Sequence, residues 1–178
     1  MAIVLMFNSM LESMIDTSLS GAVSEDDLTD FHKNVLEAGW LKEDSGAWVL
    51  RSLRGGYAGV ESQFSDLIDY EASVNGRAIP DLDLDFADSR RVETLFRRGY
   101  SFAHCALFSL GRVPGAPSAV AYVTIGPTLF DENIVTGSVT FCATREGECP
   151  YIDDISDLSL SGVLLLDSDD CREPLSVA

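Results

Sequence analysis

The chain has 178 residues, of which 46% are hydrophobic and 23% charged. This composition supplies enough apolar material for one ordinary domain over residues 1–178 and excludes an intrinsically disordered chain. The 29 acidic and 12 basic residues give a formal net charge of −17 at pH 7, which repels phosphates and argues against nucleic-acid and membrane partners.

The chain begins with two predicted helices. Apolar residues recur at helical spacing over residues 7–15 and predict the first of them. Ser24 with Asp27 has the form of a capping box and predicts the start of the second helix. Gly39 is expected to end this helix, because glycine favours the position after a helix C-terminus.

A hairpin, a third helix, a strand and a fourth helix are expected next. The turn-forming residues 43–46 predict a hairpin between residues 40–42 and 47–53. Helical apolar spacing over residues 60–70 predicts the third helix, and strict alternation over residues 81–86 predicts a half-buried strand. The fourth helix is expected to run from residue 88 to 98 and to end at Gly99.

The second half of the sequence favours β-structure. Strands are predicted over residues 100–110, 119–125, 134–143 and 160–166, and glycine- and proline-rich links predict an antiparallel meander. The predicted fold is therefore α+β. A helical N-terminal half (1–99) packs on a mainly antiparallel sheet (100–167), and the acidic tail 168–178 is expected to be frayed.

Cation binding is one interpretation of the alternating carboxylates at Asp81, Asp83 and Asp85. A calcium-binding EF-hand loop would need glycine and glutamate where this chain has Phe86 and Val92. On a strand, next-but-one residues lie roughly 6.6 Å apart, too far for their carboxylates to converge on one ion without a bend. We therefore predict no metal and interpret the cluster as the charged outer face of an edge strand.

Four arginines fall on the predicted fourth helix: Arg90, Arg91, Arg97 and Arg98. Arginine side chains suit phosphate groups, so a phosphate site is one interpretation. The excess of nearby carboxylates favours the other, in which these arginines form ion pairs within the protein.

The sequence offers little support for catalysis. It has no G-x-S-x-G nucleophile motif, and Arg54-Gly55-Gly56-Tyr57 lacks the spacing of a phosphate-binding loop. His104 and Cys105, as neighbours on a predicted strand, would point to opposite faces and could not form a dyad. We therefore predict no catalytic residue and no cofactor.

The compartment is predicted to be cytosolic. No basic residue precedes Lys33, and the apolar run at residues 1–7 is too short for a membrane span. The cysteines contain no C-x-x-C pair and are expected to be free thiols.

An acidic segment with one aromatic residue completes the candidate site: Tyr151, Asp153, Asp154 and Asp157. Acidic patches with aromatic anchors suit binding to a basic protein. Our leading hypothesis is a non-enzymatic inhibitor, such as an immunity protein, antitoxin or phage anti-defence protein, that masks a toxin, nuclease or other basic partner. The carboxylates at 81, 83 and 85 belong to the predicted partner-binding set.

Two other interpretations remain open at this point. The acidic surface can serve solubility alone. The protein can also be a small enzyme or ligand-binding domain whose site lies between the sheet and the helices, with His104 or the arginine-bearing helix at that site.

Overall fold

The structure is a computed structural model that describes residues 6–16 and 23–176. Its strands are β1 (Met6–Phe7), β2 (Trp40–Lys42), β3 (Trp48–Leu50), β4 (Arg77–Ala78), β5 (Ala119–Pro127), β6 (Val135–Ala143) and β7 (Gly162–Asp167). Its helices are α1 (Ser9–Met14), α2 (Asp30–Ala38), α3 (Arg51–Gly55), α4 (Leu67–Asn75) and α5 (Arg91–Gly111).

The main sheet has the strand order β1-β7-β5-β6-β4, and every neighbouring pair is antiparallel. The α+β class and the mainly antiparallel sheet are thus confirmed. The meander is wrong, because β7 pairs with β5 and not with β6. The division into a helical half and a sheet half is also wrong, since β1 pairs with β7 and helix α5 reaches Gly111.

Helix α5 covers one face of this sheet, which we call the inner face. Its buried side chains, among them Leu95, Phe102 and Leu107, share one apolar cluster with inner-face residues such as Val123 and Phe141. Burying this apolar surface is the main stabilising contribution to such a layered fold. The space between the sheet and α5 is therefore filled by side chains.

Helix α5 overturns two predictions. Residues 100–110 form a helix and not a strand, and Gly99 lies inside that helix and does not end it. A Cβ on Gly99 would lie 2.6 Å from Val123 Cγ1 and 2.7 Å from Ile79 Cδ1. The glycine therefore permits close contact between helix and sheet, because any side chain would displace these neighbours.

Several element boundaries also differ from the predictions. Residues 81–86 form turns and not a strand, with Leu84 N donating to Asp81 O. The third predicted helix begins at Leu67, where Asp66 caps it. The capping box at residues 24–27 exists on a single 3₁₀ turn, and α2 starts only after Thr29.

Other predictions hold in part. Gly39 ends α2 with a φ of 71°, and β2 pairs with β3 as the predicted hairpin, although β3 ends at Leu50. Of the first predicted helix, residues 9–14 are helical. The tail is anchored up to residue 176 and not frayed, because Cys171 is buried and Glu25 N donates to Ser176 O.

Helix α4 joins the end of β6 that extends past β4 to the hairpin through a buried carboxylate. Glu71 is fully buried and accepts hydrogen bonds from Trp48 N (2.7 Å) and Ala143 N (2.8 Å). The same carboxylate forms an ion pair with Arg145. Buried charge is tolerated here because several donors satisfy it.

Asn75 extends this connection one helical turn further along α4. Its amide donates to Trp48 O (3.0 Å) and Phe141 O (3.2 Å), and its carbonyl accepts from Leu50 N (2.9 Å). Backbone groups on the part of β6 past β4 are thus satisfied by side chains, which protects this part from pairing with another chain.

Candidate protein-interaction surface

Three segments lie at the end of the main sheet where β5 ends and β6 and β7 begin. We call this region the distal end and define it as residues 81–88, 128–134 and 157–161. It combines turns and a hairpin loop, the parts of a fold in which binding residues are concentrated.

Two close approaches position the first and third segments against the strand ends that flank the β5–β6 loop. Arg91 Nε donates to Val135 O (2.8 Å) and its Nη1 to Leu84 O (3.0 Å), which joins the first segment to the start of β6. On the other side, Gly126 lies so close to the third segment that a Cβ would be 3.2 Å from Leu160 O.

The distal end carries an unusual number of exposed apolar side chains. Leu129 and Phe130 are each 99% exposed, and Leu160 is 79% exposed. Leu82 and Phe86 are exposed as well. Single exposed apolar residues are normal on protein surfaces, but a group at one end indicates an interaction surface.

The same three segments also carry carboxylates. The described residues show no ion pair from a lysine or arginine to four of them, which are Asp85, Asp131, Glu132 and Asp157. The distal end is therefore both apolar and negatively charged.

The predicted partner-binding residues at 81, 83 and 85 divide into two kinds. Asp81 forms an ion pair with Arg91, and Asp83 pairs with Arg98 at 2.8 Å, which lowers the pKa of Asp83 to about 2. Asp85 is exposed, and its carboxylate accepts a hydrogen bond from Ala87 N (2.9 Å). Only Asp85 thus keeps a carboxylate without an arginine partner.

The expected internal pairing of the arginines is confirmed. Besides the two pairs above, Arg97 Nε lies 2.8 Å from Asp27 Oδ1 and Arg90 Nε lies 3.6 Å from Asp88 Oδ1. The helix that carries them therefore presents guanidinium groups already matched to carboxylates.

The predicted residues at 151–157 lie on the other face of the sheet, which we call the outer face. Tyr151 is 44% exposed, with its ring 5.8 Å from that of Tyr122. Asp154 accepts from Ser156 N (2.8 Å), and its hydrogen bonds to Ser156 lower its pKa. Asp153 and Asp157 are exposed, and of this group only Asp157 reaches the distal end.

A shallow groove crosses the outer face. It consists of adjoining clefts of about 270, 390 and 330 Å³. The first two share Tyr122 and Tyr151, and the last two share Thr124 and Ser138. The groove is lined largely by hydroxyl groups and apolar side chains, and it can accommodate a small polar ligand.

Both histidines are buried away from these surfaces. Within residues 6–16 and 23–176, the Nδ1 atoms of His32 and His104 have no hydrogen-bond partner. Burial, with a smaller contribution from Arg98, lowers the pKa of His32 to about 4, and burial also lowers that of His104. Both rings are therefore neutral at pH 7, and their packing suits a structural role.

The cysteines differ in burial and in the pKa of their thiols. His104 and Cys105 are neighbours on helix α5, which corrects their predicted placement on a strand. Burial raises the pKa of the Cys105 and Cys171 thiols to about 12, whereas Cys149 is exposed. A raised pKa keeps a thiol protonated and weakly nucleophilic.

Residues 6–16 and 23–176 contain neither a grouped set of metal-ligating side chains nor a helix suited to span a membrane. In these ranges no three or more His, Cys, Asp or Glu side chains are grouped so as to hold a metal ion. No helix in the same ranges has the length and apolar character needed to cross a bilayer.

The apolar members of the distal end are the functional candidates that the sequence interpretation missed. Their signal is present in the segment Thr128-Leu129-Phe130-Asp131, where two large apolar residues occupy a hairpin loop. Hairpin loops favour polar residues and glycine, so apolar residues at such positions indicate exposure.

Comparison with known protein families, curated proteins and solved structures found no match.

Proposed function

We propose that this protein is a non-enzymatic binding protein of the inhibitor type that masks a basic partner protein. The observation that carries the proposal is the distal end, where the adjacent and fully exposed Leu129 and Phe130 share their segments with carboxylates that pair with no lysine or arginine among the described residues. Immunity proteins, antitoxins and phage anti-defence proteins are the classes that this chemistry fits.

The two kinds of side chain have separate roles in this proposal. The net charge of −17 accelerates encounter with a basic surface, because exposed charges steer diffusion. Apolar anchors such as Leu129 and Phe130 then slow dissociation, because their burial is lost only when the complex separates. The same negative charge disfavours nucleic acid, whose phosphates require clustered lysine or arginine.

The environment of the two histidines also supports a non-enzymatic role. The buried imidazoles of His32 and His104 are neutral and lie outside the groove. General acid–base catalysis by a histidine needs its ring within hydrogen-bond reach of a substrate.

A ligand-binding role is the second candidate, and the outer-face groove favours it. The site would then lie between the sheet and the segment at residues 150–161, and not between the sheet and α5, where side chains fill the space. We place either function in the cytosol, because free cysteines suit a reducing compartment.

Capture of a partner tests the proposed function. The tagged protein is incubated with lysate of the organism that encodes it, and bound proteins are eluted with rising salt. A second, charge-reduced bait carries Asp153→Asn, Asp154→Asn and Asp157→Asn, which remove charge from exposed positions. We expect a partner of high isoelectric point, with which the charge-reduced bait associates more slowly than the wild type. Recovery of only acidic partners, or equal association rates for both baits, would contradict masking.

A further inference from the structure

We propose that the β5–β6 loop at residues 128–134 is the anchor of the complex. It inserts Leu129 and Phe130 into an apolar pocket that is rimmed by lysine or arginine on the partner protein. This inference rests on the proposed function and assigns it a specific surface.

Hydrogen bonds hold the loop in one conformation. Thr128 Oγ1 donates to Asp131 O (2.9 Å) and accepts from Asp131 N (3.1 Å), while Thr128 N donates to Ile134 O (2.8 Å). Asp131 Oδ1 also accepts from the backbone and side-chain nitrogens of Asn133, at 2.9 and 3.0 Å. A loop fixed in this way loses little conformational entropy on binding.

This conformation places two large apolar side chains in solvent. Leu129 and Phe130 keep 99% of their surface exposed, so the fold gains nothing from burying them. Aromatic and aliphatic side chains that project from a rigid loop are suited to fill a pocket on another protein.

The negative charge around this loop indicates which kind of surface can cover it. Asp131 and Glu132 follow the apolar pair directly, and Asp85 and Asp157 lie on the neighbouring segments. Anionic lipid headgroups would be repelled by these carboxylates, and a second copy of the chain would present the same charges. A protein pocket with a basic rim complements both the apolar pair and the acids around it.

The test measures the binding of two synthetic peptides to the wild-type protein, which keeps Leu129 and Phe130, and to variants of it. One 14-residue peptide is amphipathic and alternates leucine with lysine, and its matched partner replaces every leucine by serine. The test variant is Leu129→Ser with Phe130→Ser. The matched control is Val60→Ser, which changes an exposed apolar side chain outside the distal end. Phe130→Gln alone is the substitute if the double variant does not fold.

We expect the double variant to bind the leucine–lysine peptide at least about tenfold more weakly than the wild type. Val60→Ser should leave this affinity unchanged, and the serine–lysine peptide should bind all three proteins equally. Amide signals of residues 128–134 should shift on titration with the leucine–lysine peptide. Equal affinity of the double variant and the wild type for that peptide would overturn the anchor.

A second variant tests the proposed function independently of the anchor. A variant in which amides replace the carboxylates of Asp85, Asp131, Glu132 and Asp157 should bind both peptides more weakly than the wild type. If this variant binds both peptides like the wild type, masking by charge fails whatever the anchor result. Two other results would overturn the anchor proposal. One is binding of the wild type to neutral phosphatidylcholine vesicles, and the other is a wild-type dimer in sedimentation velocity, provided that the double variant loses that binding or that dimer. The partner would then be a membrane or a second copy.

Discussion

The substitution Glu71→Ala tests how α4 is held to the sheet. It removes a fully buried carboxylate that accepts from Trp48 N and Ala143 N and pairs with Arg145. Each orphaned buried N–H costs about 1–3 kcal/mol, and breaking a buried ion pair by removing one partner costs about 3–5 kcal/mol. These contributions overlap, so we expect a total loss of about 3–5 kcal/mol in the free energy of unfolding.

For a protein of this size such a loss lowers the melting temperature by roughly 6–20 °C. Chemical denaturation followed by circular dichroism measures the free energy directly. The matched control is Asp69→Ala on the same helix, whose carboxylate accepts from the exposed Ser65 hydroxyl at 2.7 Å and should change stability by less than about 1 kcal/mol. If Glu71→Ala cost no more than Asp69→Ala, the buried carboxylate would not hold these elements together.

Three further predictions concern the core and the thiols. Because burial lowers the pKa of His32 to about 4 from 6.5, the neutral ring stabilises the fold above pH 6.5; up to about 3 kcal/mol is lost as the pH falls to 4. In thermal melts from pH 7 to 4, His32→Phe should reduce this acid sensitivity, and parallel wild-type and variant curves would refute the assignment. Gly99→Ala should cost about 1–3 kcal/mol by crowding the sheet, whereas Gly111→Ala, with nothing within 4 Å, should be neutral or slightly stabilising; equal effects in denaturant titrations would argue against close helix–sheet packing. Among the four cysteines, Cys149 should react first with a thiol reagent in the native state, and a Cys149→Ser variant that kept the fast phase would contradict this.

Much of the sheet could be predicted from alternation along the sequence. The predicted strands at 119–125 and 134–143 are close to β5 and β6, because inner-face side chains such as Ala121 and Val123 alternate with outer-face ones such as Tyr122. Local turn chemistry also located the β2–β3 hairpin and the end of α2 at Gly39. These features depend on neighbours in sequence, so they are visible without the fold.

Helix α5 shows where local patterns fail. Residues 100–110 are rich in apolar side chains, and such a run fits a buried strand or a buried helix equally well. Gly99 favoured a helix end, yet its role is to permit contact with Val123 and Ile79 on distant parts of the chain. The strand order failed for a related reason. Residues 144–161 form a long link over the outer face, so β7 is not constrained to lie beside β6.

The candidate site was predicted only in part. Acidity identified Asp85 and Asp157, but it could not show that Asp81 and Asp83 are matched by arginines of α5. These pairs join residues ten or more positions apart and require the tertiary fold. The position of Leu160 at the same end of the sheet as the β5–β6 loop is likewise a property of the assembled sheet.

The most direct test of the docking surface is hydrogen–deuterium exchange of the protein alone and bound to its captured partner. We expect slower exchange in the β5–β6 loop at residues 128–134 and in the adjoining segments 81–88 and 157–161. Helix α2 and the β2–β3 hairpin, which lie outside the distal end, serve as the internal control and should exchange at unchanged rates. Protection confined to α2 or the hairpin, with the distal end exchanging as in the free protein, would contradict the proposed binding surface.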